Sequence, residues 1–165
     1  METLTKTYSK LGFTGLDTAE LVKSMNNVIA NYHVFYQKLR NYHWNVMGPD
    51  FFDLHQKFEE LYTAAVNNID EIAERIRVFG QTPMSTLKEY LEISEIKETG
   101  YNLTPLEMTR DVLSDIEKLD GLLIKVAEAA KEAGDVATID LINSMIKSIE
   151  KEHWMLTAWL NNSKN

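Results

Sequence analysis

Residues 42–79 read YHWNVMGPDFFDLHQKFEELYTAAVNNIDEIAERIRVF, and this stretch decides the fold. Met47-Gly48-Pro49-Asp50 is a stop-and-restart signal between two helices. After it, Leu54, Phe58, Leu61, Ala65, Ile69, Ile72, Ile76 and Phe79 recur in steps of three and four. That spacing lays one apolar stripe along a helix. The helix is expected over about 51–79, and Gly80-Gln81-Thr82-Pro83 ends it. Before the signal, Leu21, Met25, Val28, Tyr32, Phe35, Leu39, Tyr42 and Val46 alternate steps of four and three without a break. This is the seam of a helix packed nearly parallel to its neighbours, starting near residues 14–18.

Downstream, Leu87-Lys88-Glu89-Tyr90-Leu91 is a short amphipathic segment in a longer connection. Thr104, Pro105 and Glu107 form a capping-box start for a third long helix. Its stripe is Val112, Ile116, Leu119, Leu123, Val126 and Ala130, and Ala133-Gly134-Asp135 breaks it. The last helix carries Ile142, Ile146, Ile149, His153, Leu156 and Leu160. Two short turns and one long crossover predict an all-α fold: a ferritin-like four-helix bundle with a short extra helix in the crossover. The bundle is expected over residues 14–161, with tails at 1–13 and 162–165.

A chain of 165 residues fits one domain. Its net charge of -8 weighs against a general nucleic-acid binder, which needs Lys and Arg against phosphate. The same charge suits a handler of cations, although taken alone acidity kept for solubility is the commoner reason for it. With no membrane-length apolar run and no signal-peptide h-region, a cytoplasmic protein with no membrane partner is expected. The chain has no cysteine, so a metal site must use His, Asp and Glu, which suit iron, manganese or zinc better than copper(I).

His43, His55, Glu59, Asp70 and Glu74 are the candidate ligands. On a wheel with His55 at zero, Glu59 falls near 40°, Asp70 near 60° and Glu74 near 100°. All four lie on one edge beside the apolar stripe. Fifteen residues separate His55 from Asp70, roughly 22 Å along a helix, whereas metal–ligand bonds are about 2.0–2.2 Å. One chain therefore holds two half-sites that cannot meet. Pairing two such helices antiparallel about a twofold axis near residues 63–67 would bring His43, His55 and Glu59 of one copy to Asp70 and Glu74 of the other. Thr63, Val66 and Asn67 on that edge leave room for close approach. Taken singly, each histidine also reads as a packing residue and Glu59 as a solvated acid. Asp70 and Glu74 are harder to explain that way, because like charges at i,i+4 cost about 0.2–0.5 kcal/mol unless something offsets them. Glu71 and Arg75 beside them form the ordinary stabilising pair.

Trp44 reads as a packing residue, with electron donation near an oxidising metal as a secondary role; Tyr62 reads as core and His33 as structural. Glu150-Lys151-Glu152-His153 is a Glu-x-x-His on the last helix. A di-iron site within one chain needs two such motifs, and the residue three before His55 is Phe52. His153 is accordingly expected to be a core or interface histidine.

The stretch His43-Trp44-Asn45-Val46-Met47-Gly48, then Leu54-His55, Phe58-Glu59 and Asp70-Glu71-Ile72-Ala73-Glu74-Arg75, resembles the signature of the Dps family, the mini-ferritins. The spacings of 12, 15 and 4 residues match that family's ferroxidase ligands, and Glu59 matches a further acidic ligand. The likeness covers roughly residues 15–160. It implies a hollow homo-oligomer of twelve subunits that oxidises Fe(II) to Fe(III) at sites shared between subunits. Hydrogen peroxide is the usual oxidant, and ferric mineral is stored inside. Asp135 and Asp140 resemble residues lining the family's threefold iron-uptake pores. DNA-binding members carry Lys/Arg-rich tails, whereas residues 1–13 hold only Lys6 and Lys10 against Glu2. Compaction of DNA is therefore the alternative function and iron oxidation the leading one.

Overall fold

The computed structural model describes residue 11 and residues 18–162. Five helices follow in order: α1 Ala19–Asn45, α2 Phe51–Val78, α3 Leu87–Ile93, α4 Pro105–Glu132 and α5 Val136–Asn162. Among the described residues there is no strand. The four long helices match the expected spans to within a residue or two. The expected tails lie outside the described residues, apart from Leu11 and Asn162, and Asn162 closes α5.

Every predicted stripe residue of α1 is buried, as are those of α4. On α2 only Ile69 stays half-buried, and on α5 Ile146, His153 and Leu160 do. α1 is the central element, packing on α2, α3 and α4, while α4 and α5 form the second hairpin. Side-chain pairs set the directions. Lys38 meets Asp115 and Tyr42 meets Asp111, so α1 and α4 run antiparallel. Lys57 pairs with Glu152 and Arg75 with Asp135, so α2 and α5 are antiparallel as well. α2 and α4 therefore run the same way, a relation that only a long crossover can make.

Two features fix that crossover. Thr86 and Glu89 form a capping box at α3. Asn31, fully buried on α1, accepts hydrogen bonds from Ser94 Oγ at 3.1 Å and from the Glu95 and Ile96 amides at 3.0 Å. One side chain thus satisfies backbone donors that would otherwise be stranded where the chain turns inward. The predicted Thr104–Glu107 capping box starts α4.

Three sequence readings need correction. Asp135 is 2% exposed and cannot line a pore; its carboxylate takes the Arg75 guanidinium at 2.6 Å and the Thr138 hydroxyl and amide, capping α5. Asp140 is exposed. His153, expected in the core or at an interface, is half-exposed in the single chain and so not in the core, with Nε2 3.1 Å from Glu117. Trp44 is 57% exposed, with the Arg40 guanidinium 4.6 Å from its ring, and borders an open cleft with Asn41, Glu98 and Tyr101 instead of packing into the core.

Candidate metal centre

The Met47–Asp50 turn builds the centre. Gly48 takes φ 113°, a conformation an L side chain strains to reach, and the Phe51 amide closes the turn on the Gly48 carbonyl at 3.1 Å. The last turn of α1 is thereby folded back beside the first turns of α2. His43 and His55 come face to face, rings 3.7 Å apart and 20° from parallel.

Each histidine fixes the other. His43 Nδ1 lies 2.7 Å from the His55 carbonyl oxygen, and His55 Nδ1 lies 2.7 Å from the His43 carbonyl oxygen. A carbonyl can only accept, so both imidazoles donate through Nδ1–H. Both Nε2 lone pairs are then left for a cation. The His43 carbonyl is in the last turn of α1, where carbonyls lack helical partners, so the bond also helps to satisfy a helix end. Phe51 stacks on His55 at 4.9 Å, and Tyr62 meets the His43 ring edge-on at 5.4 Å. Tyr62 is thus at the rim of the centre and half-buried, not in the core as its spacing predicts. Burial and the neighbouring Glu59 carboxylate push its phenol up.

Glu59, one turn beyond His55 on α2, completes the cluster: one ligand atom from each of His43, His55 and Glu59 lies within 4.8 Å of the others. The burial is graded, with His43 buried, His55 half-buried and Glu59 exposed, so the centre opens outward. Two neutral nitrogens and one carboxylate suit Fe(II), Mn(II) or Zn(II). Among the described residues this is the one group of three or more such side chains within that distance.

Asp70 and Glu74 are not brought to it. Both are exposed on α2, and because α2 is unbroken over Phe51–Val78, Asp70 stays about 22 Å from His55 along the axis. Their neighbour Arg75 reaches across to Asp135 at 2.6 Å and Thr138 at 2.9 Å. His33 is remote from the centre in role: it stacks on Tyr90 at 4.0 Å, and burial holds its imidazole below the ordinary histidine range.

A ferritin-like domain family matches residues 22–165. DNA protection during starvation protein 2 of Bacillus anthracis is 44% identical over 142 residues, 86% of this chain and 97% of that protein. The protein of similar name from Brevibacillus brevis is 45% identical, over 82% of this chain and 91% of its own. The crystal structure of the Dps protein from Vibrio cholerae O1, a member of a broad superfamily of ferritin-like diiron-carboxylate proteins, matches with a TM-score of 0.89. Its identity is 36%, with 97% of this chain and 99% of that one covered. Dps from Staphylococcus aureus matches with a TM-score of 0.83 at 40% identity, over 86% and 95% of the two chains.

Proposed function

The chain belongs to the Dps family of ferritin-like proteins, and from that premise we propose that it is a ferroxidase and iron store. It binds Fe(II) as substrate, oxidises it with hydrogen peroxide, and holds the ferric product in a hollow shell of twelve copies in the cytoplasm. What carries this reading is the reciprocal histidine pair: one ligand atom from each of His43, His55 and Glu59 lies within 4.8 Å of the others, and Asp70 and Glu74 are not part of that group.

In this scheme His43, His55 and Glu59 of one copy and Asp70 and Glu74 of a second hold the iron. Carboxylates favour the ferric state once it forms, and the imidazoles, fixed through Nδ1, keep their lone pairs oriented without side-chain motion. Two Fe(II) ions give up one electron each; one peroxide takes both electrons and two protons and leaves as two waters. No single-electron product of peroxide is released. Protection of DNA, the role in the relatives' names, then follows from removing Fe(II) and peroxide together, with no need for contact with DNA.

The shared site is tested by complementation. His55→Ala and Asp70→Ala, assembled separately, are each expected to lose most of the initial rate of Fe(II) oxidation. Refolded together in equal amounts, they regain activity, because each mixed pair has one site carrying both lesions and one carrying neither. About a quarter of all sites are then intact. A mixture no more active than its parents would mean that both residues serve one chain's site, or that Asp70 plays no part.

A further inference from the structure

α3 is a seven-residue strap laid along α1 and tied to it at three points. Ahead of it, the Met84 amide donates to Asn26 Oδ1 at 2.9 Å. Behind it, Asn31 Oδ1 takes the Ser94, Glu95 and Ile96 donors. Between these ends the tie is a single side chain. Tyr90 is the one buried residue of α3, and its ring lies 4.0 Å from the His33 imidazole, 10° from parallel. The Tyr90 hydroxyl donates to the Met84 carbonyl at 2.9 Å, which fixes the ring at its far edge. A helix this short falls well below the roughly 12–15 residues that hold up alone in water, so α3 depends on the stack. Leu87 and Leu91 add little cover: both are exposed, and they border a cavity of about 390 Å³ between α3 and α1 that His33 also lines.

The other ionisable groups around that cavity are Tyr36 and Arg40 of α1, Tyr90 of α3 and Glu98 of the crossover. Among these residue types histidine alone ordinarily changes charge between about pH 5 and 8. Arg40 is turned to the Tyr36 and Trp44 rings, at 5.2 and 4.6 Å. Of α3's own charges, Lys88 pairs with Glu92, and Glu89 is taken up in the capping box. No acid among the described residues makes an ion pair with His33, and burial holds its imidazole below the ordinary range. A histidine held low when docked takes its proton more readily undocked. Docking is therefore fully favoured above the free-imidazole value of about 6.5, and weakens as pH falls through it toward the lowered one.

We propose that the His33–Tyr90 stack is an acid-sensitive latch: it closes on the neutral imidazole, and protonation frees the middle of α3 from α1 while both ends of the strap stay tied. The latch is separate from the iron-oxidation scheme, since its two residues are none of those assigned there to hold iron.

The test is hydrogen exchange of the assembled protein, read by mass spectrometry over peptides spanning residues 87–94. Parent and His33→Phe are compared at the same pH, so that the intrinsic chemistry of exchange cancels. Phenylalanine keeps a ring against Tyr90 and cannot take a proton. The two are expected to be equally protected near pH 8, about 1.5 units above the free-imidazole value, and the parent several-fold less protected near pH 5. His33→Gln has neither ring nor charge, and its α3 is expected to exchange fast at both pH values. A pH response that is the same in parent and His33→Phe overturns the latch. So does a loss in the parent that is as large over α4 as over α3, which would be general acid unfolding. Protection of His33→Gln as high as the parent's near pH 8 would show that the stack does not hold the strap, and overturns it too.

Discussion

The Lys38 ammonium, 2% exposed, lies 2.5 Å from Asp115 and 2.8 Å from Asp111, and Asp115 is 0% exposed. The Tyr42 hydroxyl donates to the same Asp111 at 2.6 Å. Burial raises the Asp115 carboxyl, and Lys38 is the main influence opposing it. Removing Lys38 leaves the Asp115 charge inside the bundle with only the part-exposed Lys118, 3.1 Å away, to offset it. Lys38→Met is therefore expected to destabilise by about 3–5 kcal/mol, and adding Asp115→Asn should restore much of the loss. Denaturant unfolding of the two variants checks this; a double variant no more stable than the single would mean that the lysine acts through packing. At this scale the sequence is readable where chemistry is periodic. His43, His55 and Glu59 could be set together from spacing and a turn, whereas the Nδ1-to-carbonyl exchange that orients them involves backbone atoms that no residue letter encodes. Lys38 and Asp115 sit 77 residues apart on different helices, so only the packed bundle reveals their pairing. Asp135 was open to a better reading: an Asp three before Thr138 at a helix start is an N-cap pattern.

α4 owes its start to two residues. Glu107 accepts from the Thr104 amide and hydroxyl, each at 2.7 Å, and the Thr104 hydroxyl accepts from the Glu107 amide at 3.3 Å. The backbone bond first, then the side-chain bond, holds the Glu107 carboxyl below the ordinary glutamate range. A carboxyl lowered in the folded state contributes stability that is present above its unfolded value, about 4.3, and lost as pH falls through the lowered one. Amide hydrogen exchange reads this directly. At neutral pH the first turn of α4 should be less protected in Glu107→Gln than in the parent, and the difference should vanish on acidification. A gap between the two that persists below that range would place the cap's contribution elsewhere. The box at Thr104 was legible because Pro105 and a long apolar stripe follow it; the identical Thr86–Glu89 box precedes only seven helical residues, so the short amphipathic run at Leu87–Leu91 marked the extra helix while its cap stayed unread. The bundle itself was legible because its stripes run unbroken. The direction of α2 relative to α4 could be inferred only from crossover length, and the Asn31 anchor that shapes the crossover has no local signature.

For the whole molecule, charge and site make opposite demands on any role near DNA. The chain carries 25 acidic against 17 basic residues, and a duplex is itself polyanionic, so the net charge of each copy adds repulsion instead of releasing counterions. No helix among the described residues is long and apolar enough to cross a membrane. If oxidation at the histidine centre is what protects DNA, protection and binding must separate. Supercoiled plasmid exposed to Fe(II) and peroxide should stay unnicked in the presence of the assembled protein while migrating unretarded at low salt. His55→Ala should lose the protection without any change in migration. Retardation that disappears as salt is raised, together with full protection by His55→Ala, would instead assign the defence to a coat of protein over the phosphates. It would also require the 17 basic residues to be gathered on one face, since evenly spread they could not overcome the acidic excess.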